Sequence, residues 1–259
     1  MPGPTHHADN RSSGSRKATR SGPLSRDVVL AAALRLADVE GLSAVTMRRV
    51  GTELGVEAMS LYHHLPGKDG LMDGLVDTVL AEIREEVARR AQDLTADWHT
   101  DLRSRSLAAR TVMLRHPWAP VLLASRPAVP PGLYVYFEDV LATLVRGGFT
   151  YHLAHRALHS LGSMVLGFAP EIFSPGGAMD DEAAEAEMAA MAEALPHLIA
   201  MVDSELHAAA EPMLNWCDGQ VEFEFTLDLL LDGLGRARRA AADAAPPDGG
   251  ANRPRHADR

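Results

Sequence analysis

Apolar residues recur at helical spacing along almost the whole of this 259-residue chain, from about residue 24 to residue 241. Alanine and leucine fill most of these positions, and alternating runs of β-branched or aromatic residues are few, so helices rather than strands are predicted. Residues 1–23 and 242–259 are instead rich in Ser, Gly, Pro, Ala and Arg without an apolar period, which is typical of disordered tails. The pattern therefore predicts an all-α protein.

The N-terminal end of the helical region, residues 24–70, predicts a three-helix head. Ser25 is placed to cap a first helix that ends at Gly41. Its apolar positions follow the i, i+3, i+4, i+7 pattern of one buried face: Leu30, Ala33, Leu34 and Ala37.

Residues 46–64 have the layout of a helix-turn-helix. Thr46 is placed to cap a short helix that ends near Leu54, Gly55 provides a tight turn, and a second short helix runs on to His64. A short exposed helix held across a turn in this way is what reads the major groove of DNA.

Residues 71–241 are predicted to form a larger helical domain. A long helix leads into it, from Lys68 to about Arg90. Segments 116–127 and 170–180 are expected to be loops. Further helices are predicted at roughly 98–115, 133–146, 150–168, 183–208 with a break near Pro196, and 219–241.

The net charge of −10 is unevenly distributed. Residues 1–70 hold nine Lys and Arg against seven Asp and Glu, so this end is +2 and the remainder −12. Because phosphates repel the acidic part, the chain is expected to approach DNA with its N-terminal end. The basic stretch from Arg11 to Arg20 is either an arm for the minor groove or a solubilising tail.

Several classes of protein are not indicated. The single cysteine, Cys217, excludes an intrachain disulfide and a Cys-rich zinc site. No apolar run approaches the roughly 18 to 20 residues that cross a bilayer, and the N-terminus lacks the apolar core of a signal peptide, so a cytoplasmic protein without membrane contacts is expected. Catalytic motifs such as GxSxG and HExxH are absent from the sequence, so we predict neither an enzyme nor a cofactor.

The DNA-contacting side chains are predicted on the second half of the helix-turn-helix and at two helix starts. Thr46 and Lys68 stand where helix N-termini favour phosphates, and Arg48 is a candidate for a bidentate contact to guanine. Tyr62 and His64 contact DNA or close the small core of the head, and the two roles are compatible. The complete predicted set is Thr46, Arg48, Ala58, Met59, Ser60, Tyr62, His63, His64 and Lys68.

Residues 24–77 resemble the DNA-binding head of the tetracycline-repressor family. The resemblance rests on the LGV turn, on LYHH in the recognition helix and on the GK-x-x-L that follows. It implies operator DNA as a partner and DNA contacts for the residues named above. Met59 stands where the tetracycline repressor has proline, so a different operator is expected.

A weaker resemblance to the same family's core domain runs through VLLASRP (121–127), GGF (147–149) and LGSMVLGFAPE (161–171). It implies that residues 71–241 form an effector-binding and dimerisation domain, with a small-molecule effector held between the helices from 98 to 168. Leu122 stands where that family has a magnesium-binding histidine, although Glu171 matches the acidic partner, so an inducer other than magnesium-tetracycline is expected. The predicted lining is Trp98, Ser104, Trp118, Leu122, Ser125, Met164, Phe168 and Glu171; for each, core packing is the alternative.

Two further patterns concern metal binding and assembly. His152, His155 and His159 share one helix face, which suits zinc binding or pH sensing or is simply a polar face; no metal is predicted because no carboxylate or cysteine joins them. On the last helix an apolar seam predicts a homodimer through a four-helix bundle with helix 150–168, whose twofold axis sets two heads about 34 to 36 Å apart; burial within one protomer is the alternative. The seam consists of Phe223, Leu227, Leu230 and Leu234.

The resemblance implies a repressor that its inducer releases from DNA. Ligand binding is expected to shift helix 98–115 and segment 116–127, and helix 68–90 to transmit the shift to the heads like a pendulum. Two other classes remain as alternatives: an enzyme with a DNA-binding head, and an architectural DNA-binding protein without an effector.

Overall fold

Helices make up the regular structure in the described parts of the chain, where no strand occurs. The computed structural model describes residues 23–90, 97–168, 194–208 and 219–244. The all-α prediction is confirmed. Both predicted tails lie almost wholly outside the described residues, as does the loop predicted at 170–180.

Ten α-helices and one 3₁₀ turn follow one another along these segments. In chain order they are α1 (Arg26–Glu40), the 3₁₀ turn (Leu42–Ala44), α2 (Met47–Leu54), α3 (Ala58–Leu61), α4 (Gly67–Arg90), α5 (Trp98–Arg115), α6 (Ala119–Ser125), α7 (Pro131–Arg146), α8 (Tyr151–Gly167), α9 (Pro196–Ala208) and α10 (Gly219–Asp243). Most bounds agree with the predicted ones to within two residues. The part of the predicted helix before Pro196 lies mostly outside the described residues.

Two elements differ from the prediction. The second helix of the helix-turn-helix, predicted to reach His64, ends as α3 at Leu61. Hydrogen-bonded turns follow it as far as Leu65, and one of their bonds runs from His64 N to Leu61 O. Segment 116–127 is not entirely a loop, because it contains α6. Pro120 sits in the first turn of α6, where a missing N–H costs nothing, so it is compatible with the helix.

The cap residues begin and end α1 as predicted. Ser25 Oγ accepts a hydrogen bond from Val28 N at 3.3 Å, and Gly41 ends the helix with φ +83° while its N–H donates to Ala37 O. Since few side chains tolerate that backbone conformation, glycine is required at this end.

The head and the larger domain share one apolar core. It includes Val29 and Leu61 from the head, Leu75 from α4, Val112 from α5 and Leu122 from α6. A second core joins α5, α7, α8 and α10. The predicted domain boundary between residues 70 and 71 therefore falls inside α4, and it remains a prediction.

A glycine on α4 brings α1 against it. A Cβ at Gly74 would collide with the side chain of Leu30, so the two helices approach more closely than larger residues would allow. The contact sets the position of the head on α4, and α4 in turn packs along α5.

Candidate DNA-binding head and ligand cavity

The helix-turn-helix is held by its caps and by its turn. Thr46 Oγ1 accepts a hydrogen bond from Arg49 N at 3.1 Å, and Gly55 takes the left-handed conformation with φ +67°. Within the turn, a Cβ at Gly51 would lie 2.9 Å from Val56 O, so α2 and the turn meet over a glycine. The local sequence thus specifies the angle at which α3 leaves α2.

Ion pairs and apolar packing attach α2 and α3 to the rest of the head. Arg49 contacts Glu40 of α1 at 2.5 Å and Glu53 at 3.5 Å, and these carboxylates raise the pKa of its guanidinium. Leu61 of α3 is fully buried. Contacts inside the head therefore hold α2 and α3 in place.

The predicted DNA-contacting residues lie on the outside of this unit. Met59 is 69% exposed and Tyr62 50%, so Tyr62 does not close the core of the head. Arg48 is exposed, and its guanidinium makes no hydrogen bond or ion pair with any described residue. Thr46, His63 and Lys68 are also exposed, whereas Ala58, Ser60 and His64 are half-buried.

The larger domain encloses a cavity of about 350 Å³ between α4, α5, α6, α7 and α8. Its wall is mainly apolar, with Ile83, Met113 and Phe137 among the residues that form it. The polar residues of the wall are Arg105, Ser106, Tyr136, His159 and Ser163. A mostly apolar concave site with a few polar groups is the usual form of a small-molecule site.

Hydrogen bonds hold some of the polar residues of the wall in place. Arg105 donates from Nε to Asp101 Oδ1 at 3.0 Å, and Thr143 Oγ1 donates to Asp101 Oδ2 at 2.6 Å. Burial raises the pKa of Tyr136, so its phenol stays protonated at neutral pH.

The described residues that were predicted to line the effector site lie outside the wall of this cavity. None of the seven predicted residues that the structure describes belongs to the cavity wall, and Glu171 lies outside the described residues. Leu123 lines the wall beside Leu122, and Ser163 and Val165 line it on either side of Met164. The predicted helices are correct, but the face turned to the cavity is another one, because one helical step turns a side chain by about 100°. The seven predicted residues that lie outside the cavity wall are Trp98, Ser104, Trp118, Leu122, Ser125, Met164 and Phe168.

Most of these seven residues are packed into the two apolar cores. Trp98 meets the ring of Phe149 edge-on at 4.8 Å, and Phe168 meets Phe223 in the same way at 5.3 Å. Leu122 is 2% exposed. The Ser104 hydroxyl is buried without a hydrogen-bond partner among the described residues, and the Ser125 hydroxyl donates to Leu122 O.

Trp118 belongs to a polar junction between the head and the larger domain that the sequence did not predict. Trp118 Nε1 donates to Asp38 Oδ1 of α1 at 2.7 Å. His116 Nδ1 lies 2.7 Å from the same oxygen, and His116 Nε2 lies 3.1 Å from Glu82 Oε2 of α4. Asp38 and His116 are 78 residues apart, so no local spacing could have indicated the contact.

The predicted dimer seam faces inward. Phe223 and Leu227 are fully buried in the second core of the protomer, Leu234 is 8% exposed, and Leu230 packs partly buried against the same core. Burial within one protomer, the alternative left open by the sequence, is therefore observed for Phe223, Leu227 and Leu234 and in part for Leu230. The exposed large apolar residues of α10 are Val221, Phe225 and Leu229, at 59%, 61% and 54%.

The three histidines of α8 are exposed, and the rings of His155 and His159 meet edge-on with centroids 4.6 Å apart. His159 also lines the cavity. Within the described ranges, no three potential metal ligands come close enough together to hold an ion. The basic stretch from Arg11 to Arg20 lies outside the described residues. No described helix is long and apolar enough to cross a membrane.

Two family models match the chain. One, for bacterial regulatory proteins of the tetR family, matches residues 29–75, and the other, a tetracyclin repressor-like C-terminal domain, matches residues 92–238. The first match covers the helix-turn-helix and the second the helices around the cavity.

Individual proteins agree with these matches. An HTH-type transcriptional regulator of Saccharopolyspora erythraea is 34% identical over 134 residues, 51% of this chain and 55% of that protein, so the match spans about half the length of that relative. The class D tetracycline repressor protein of Escherichia coli is 27% identical over 82% of this chain and 89% of its own. The crystal structure of ActR from Streptomyces coelicolor in complex with (S)-DNPA has a TM-score of 0.62 at 27% identity, covering 84% of this chain and all of that one. The chain therefore belongs to the tetR family of bacterial regulatory proteins.

Proposed function

We propose that this chain is a ligand-responsive transcriptional regulator, a cytoplasmic homodimeric repressor that leaves its operator when a small molecule fills the cavity. One observation carries the proposal: a helix-turn-helix with exposed recognition residues is joined through a single helix, α4, to a cavity whose wall α4 helps to form. The family membership supports it, as does ActR, a similar protein whose structure holds (S)-DNPA.

The junction between head and larger domain offers a route for the response. Leu123 and Ala124 of α6 line the cavity. Residues just before and just after α6 contact α1 and α4. Trp118 binds Asp38 before α6, and Arg126 contacts Asp73 of α4 at 2.8 Å after it. A ligand that displaces α6 therefore acts on α1 and α4 together, which is how the predicted pendulum would start.

The exposed stripe on α10 supports the homodimer. Phe225 and Leu229 are one helical turn apart and more than half exposed, and large apolar side chains in such a row are typical of an interface. We place the twofold contact on this outer face, in place of the inward seam first predicted. Two copies so joined would present two heads to one operator, as a twofold repressor requires.

Magnesium-tetracycline does not fit this chain. Leu122, at the position that resembles the magnesium-binding histidine, has an alkyl side chain that cannot ligate a cation, and it is buried in the apolar core away from the cavity wall. The proposed inducer is therefore of a different class.

The test begins with the selection of duplexes from a random DNA library by the full-length protein at low salt. The selected duplex then serves to measure affinity for the wild type, for Arg48→Ala and for Arg35→Ala, another exposed arginine of the head that lies on α1. We expect Arg48→Ala to weaken binding about 10- to 100-fold, the size of a lost base contact, and Arg35→Ala to have little effect.

The second arm measures release. Compounds that raise the melting temperature of the protein are added to the operator complex, and we expect at least one of them to dissociate it. A protein that selects no duplex, or whose stabilising ligands never change operator affinity, would not be the proposed repressor. The second result would favour an architectural DNA-binding protein.

A further inference from the structure

The cavity wall carries one permanent charge. Among the described residues that form it, Arg105 is the only lysine or arginine, and none is an aspartate or glutamate. The rest of the wall is largely aliphatic and aromatic. Because an ion in such surroundings is costly unless it is paired, an arginine facing the cavity indicates what the cavity accepts.

The carboxylate of Asp101, which is not part of the cavity wall, forms an ion pair with Arg105. Asp101, one turn earlier on α5, accepts a hydrogen bond from Arg105 Nε through its Oδ1, and the Thr143 hydroxyl of α7 donates to its Oδ2. The side chains of Arg105 and Asp101 are 16% and 13% exposed. The two terminal nitrogens of Arg105 make no hydrogen bond to any described residue, which leaves one edge of the guanidinium for a ligand.

A second guanidinium lies behind Asp101. Arg146 donates to Thr143 Oγ1 at 3.2 Å, but it is exposed and is not part of the cavity wall. Asp139 is also close enough to Tyr136 to raise its pKa, so the open terminal nitrogens of Arg105, and not a surplus of positive charge, point to an anion. A planar guanidinium with two parallel N–H donors matches a carboxylate better than it matches a neutral group.

Tyr136 adds a neutral donor to the same wall. Its phenol lies close enough to Arg105 and Asp101 to feel both charges, and burial keeps it protonated. It therefore contributes a hydroxyl rather than a competing anion.

We propose that the effector is a compact hydrophobic acid, an aromatic or aliphatic body with one carboxylate, and that Arg105 binds this carboxylate through its terminal nitrogens. Asp101 acts as a positioning residue for Arg105. The cavity of about 350 Å³ limits the ligand to the small end of the range of such sites. This inference rests on the proposed function, because it names the ligand class of the same cavity.

The test compares acids with their uncharged amides. The probes are 2-naphthoic acid and 2-naphthamide, and biphenyl-4-carboxylic acid and biphenyl-4-carboxamide, titrated calorimetrically into the full-length protein at neutral pH. We expect each acid that binds to do so at least about tenfold more tightly than its amide. In Arg105→Met the preference should fall to within about twofold, because the amide loses little while the acid loses its partner.

Two further variants keep the test independent of folding. The double variant Asp101→Asn/Arg105→Met removes both charges, so no buried carboxylate is left unpaired, and it should also show no preference. Arg156→Met makes the same substitution at an exposed position of α8 outside the cavity wall, and it should keep the full preference for acids.

Three results would overturn the inference: amides that bind as tightly as acids to the wild type, an acid preference that survives in both Arg105 variants, or no binding by either acid up to its solubility limit. Operator affinity is measured on the same samples. Acid binding through Arg105 without any operator binding would remove the repressor proposal alone, and operator binding with a preference for amides would remove only the ligand class.

Discussion

The head and the larger domain use helices in opposite ways. In the head, helices close on Val29, Val50 and Leu61, none of which has exposed surface, and the side chains for DNA stand outside. In the larger domain the helices leave about 350 Å³ between them, and a few polar residues line this mainly apolar space. DNA can be met only by side chains on an outer surface held rigidly, whereas a small molecule needs space that close packing would fill.

The link between the two regions is polar. Asp38, Glu82 and His116 meet where α1, α4 and the segment before α6 come together, with Trp118 beside them. Directional hydrogen bonds hold one arrangement and lose much of their strength in another, so this junction suits a switch better than uniform apolar packing does.

The largest effect is expected at the outer face of the larger domain. Phe225→Glu places a charge on the proposed twofold contact, and we expect it to convert the dimer to a monomer and to abolish operator binding, because one head alone makes half of the contacts. Tyr134→Glu is the matched control, since Tyr134 on α7 is equally exposed at 61%. Sedimentation velocity distinguishes them; a Phe225→Glu protein that stays dimeric would place the contact elsewhere.

Close packing in the head should make it the more sensitive region to lost volume. Leu61→Ala removes a fully buried side chain and should lower the free energy of unfolding by about 2 to 5 kcal/mol. Leu166→Ala, at the existing cavity, should lower it by about 1 kcal/mol. Urea denaturation measures both, and equal losses would show that the two regions pack alike.

The junction should affect communication more than binding. Asp38→Asn keeps the shape of Asp38 and removes its charge, so it should cost about 1 to 2 kcal/mol of stability and reduce the effect of a bound ligand on operator affinity. Glu85→Gln, at an exposed site on α4, serves as control. Operator titrations with and without a stabilising compound measure the effect, and an unchanged ligand response in Asp38→Asn would show that the signal bypasses this contact.

The smallest effect concerns the polarity of the cavity. Because burial raises the pKa of Tyr136, the folded protein keeps this phenol protonated at a pH where the unfolded chain ionises it. Its contribution to stability is thus complete below about pH 10 and is lost as the pH rises through the raised pKa. Tyr136→Phe should change stability by less than about 1 kcal/mol at neutral pH and show a shallower decline above pH 10 in urea titrations. Equal declines in the two proteins would mean that Tyr136 titrates as in water.

Local features were the predictable part of the fold. The caps at Ser25 and Thr46, the glycine ends at Gly41 and Gly55 and most helix bounds agree with the structure. Helix α6 was missed because seven residues are too few to show a helical period.

The faces of the later helices were not predictable. Leu227 and Leu229 are both apolar residues of α10, and the sequence did not indicate which of them faces the protomer. Only the packing of α5, α7 and α8 against α10 decided that Leu227 is buried and Leu229 exposed. For the same reason the cavity wall contains Leu123 rather than Leu122.

The helix-turn-helix and its outward residues could be predicted from sequence, because a cap, a glycine turn and a short helix are specified by interactions within about twenty residues. The cavity, the junction at Asp38 and the exposed face of α10 could be recognised only from the packing of the helices. Each of these depends on the rotation of one helix against others far away in the chain. The local sequence around an apolar residue does not indicate which of several possible neighbours it packs against.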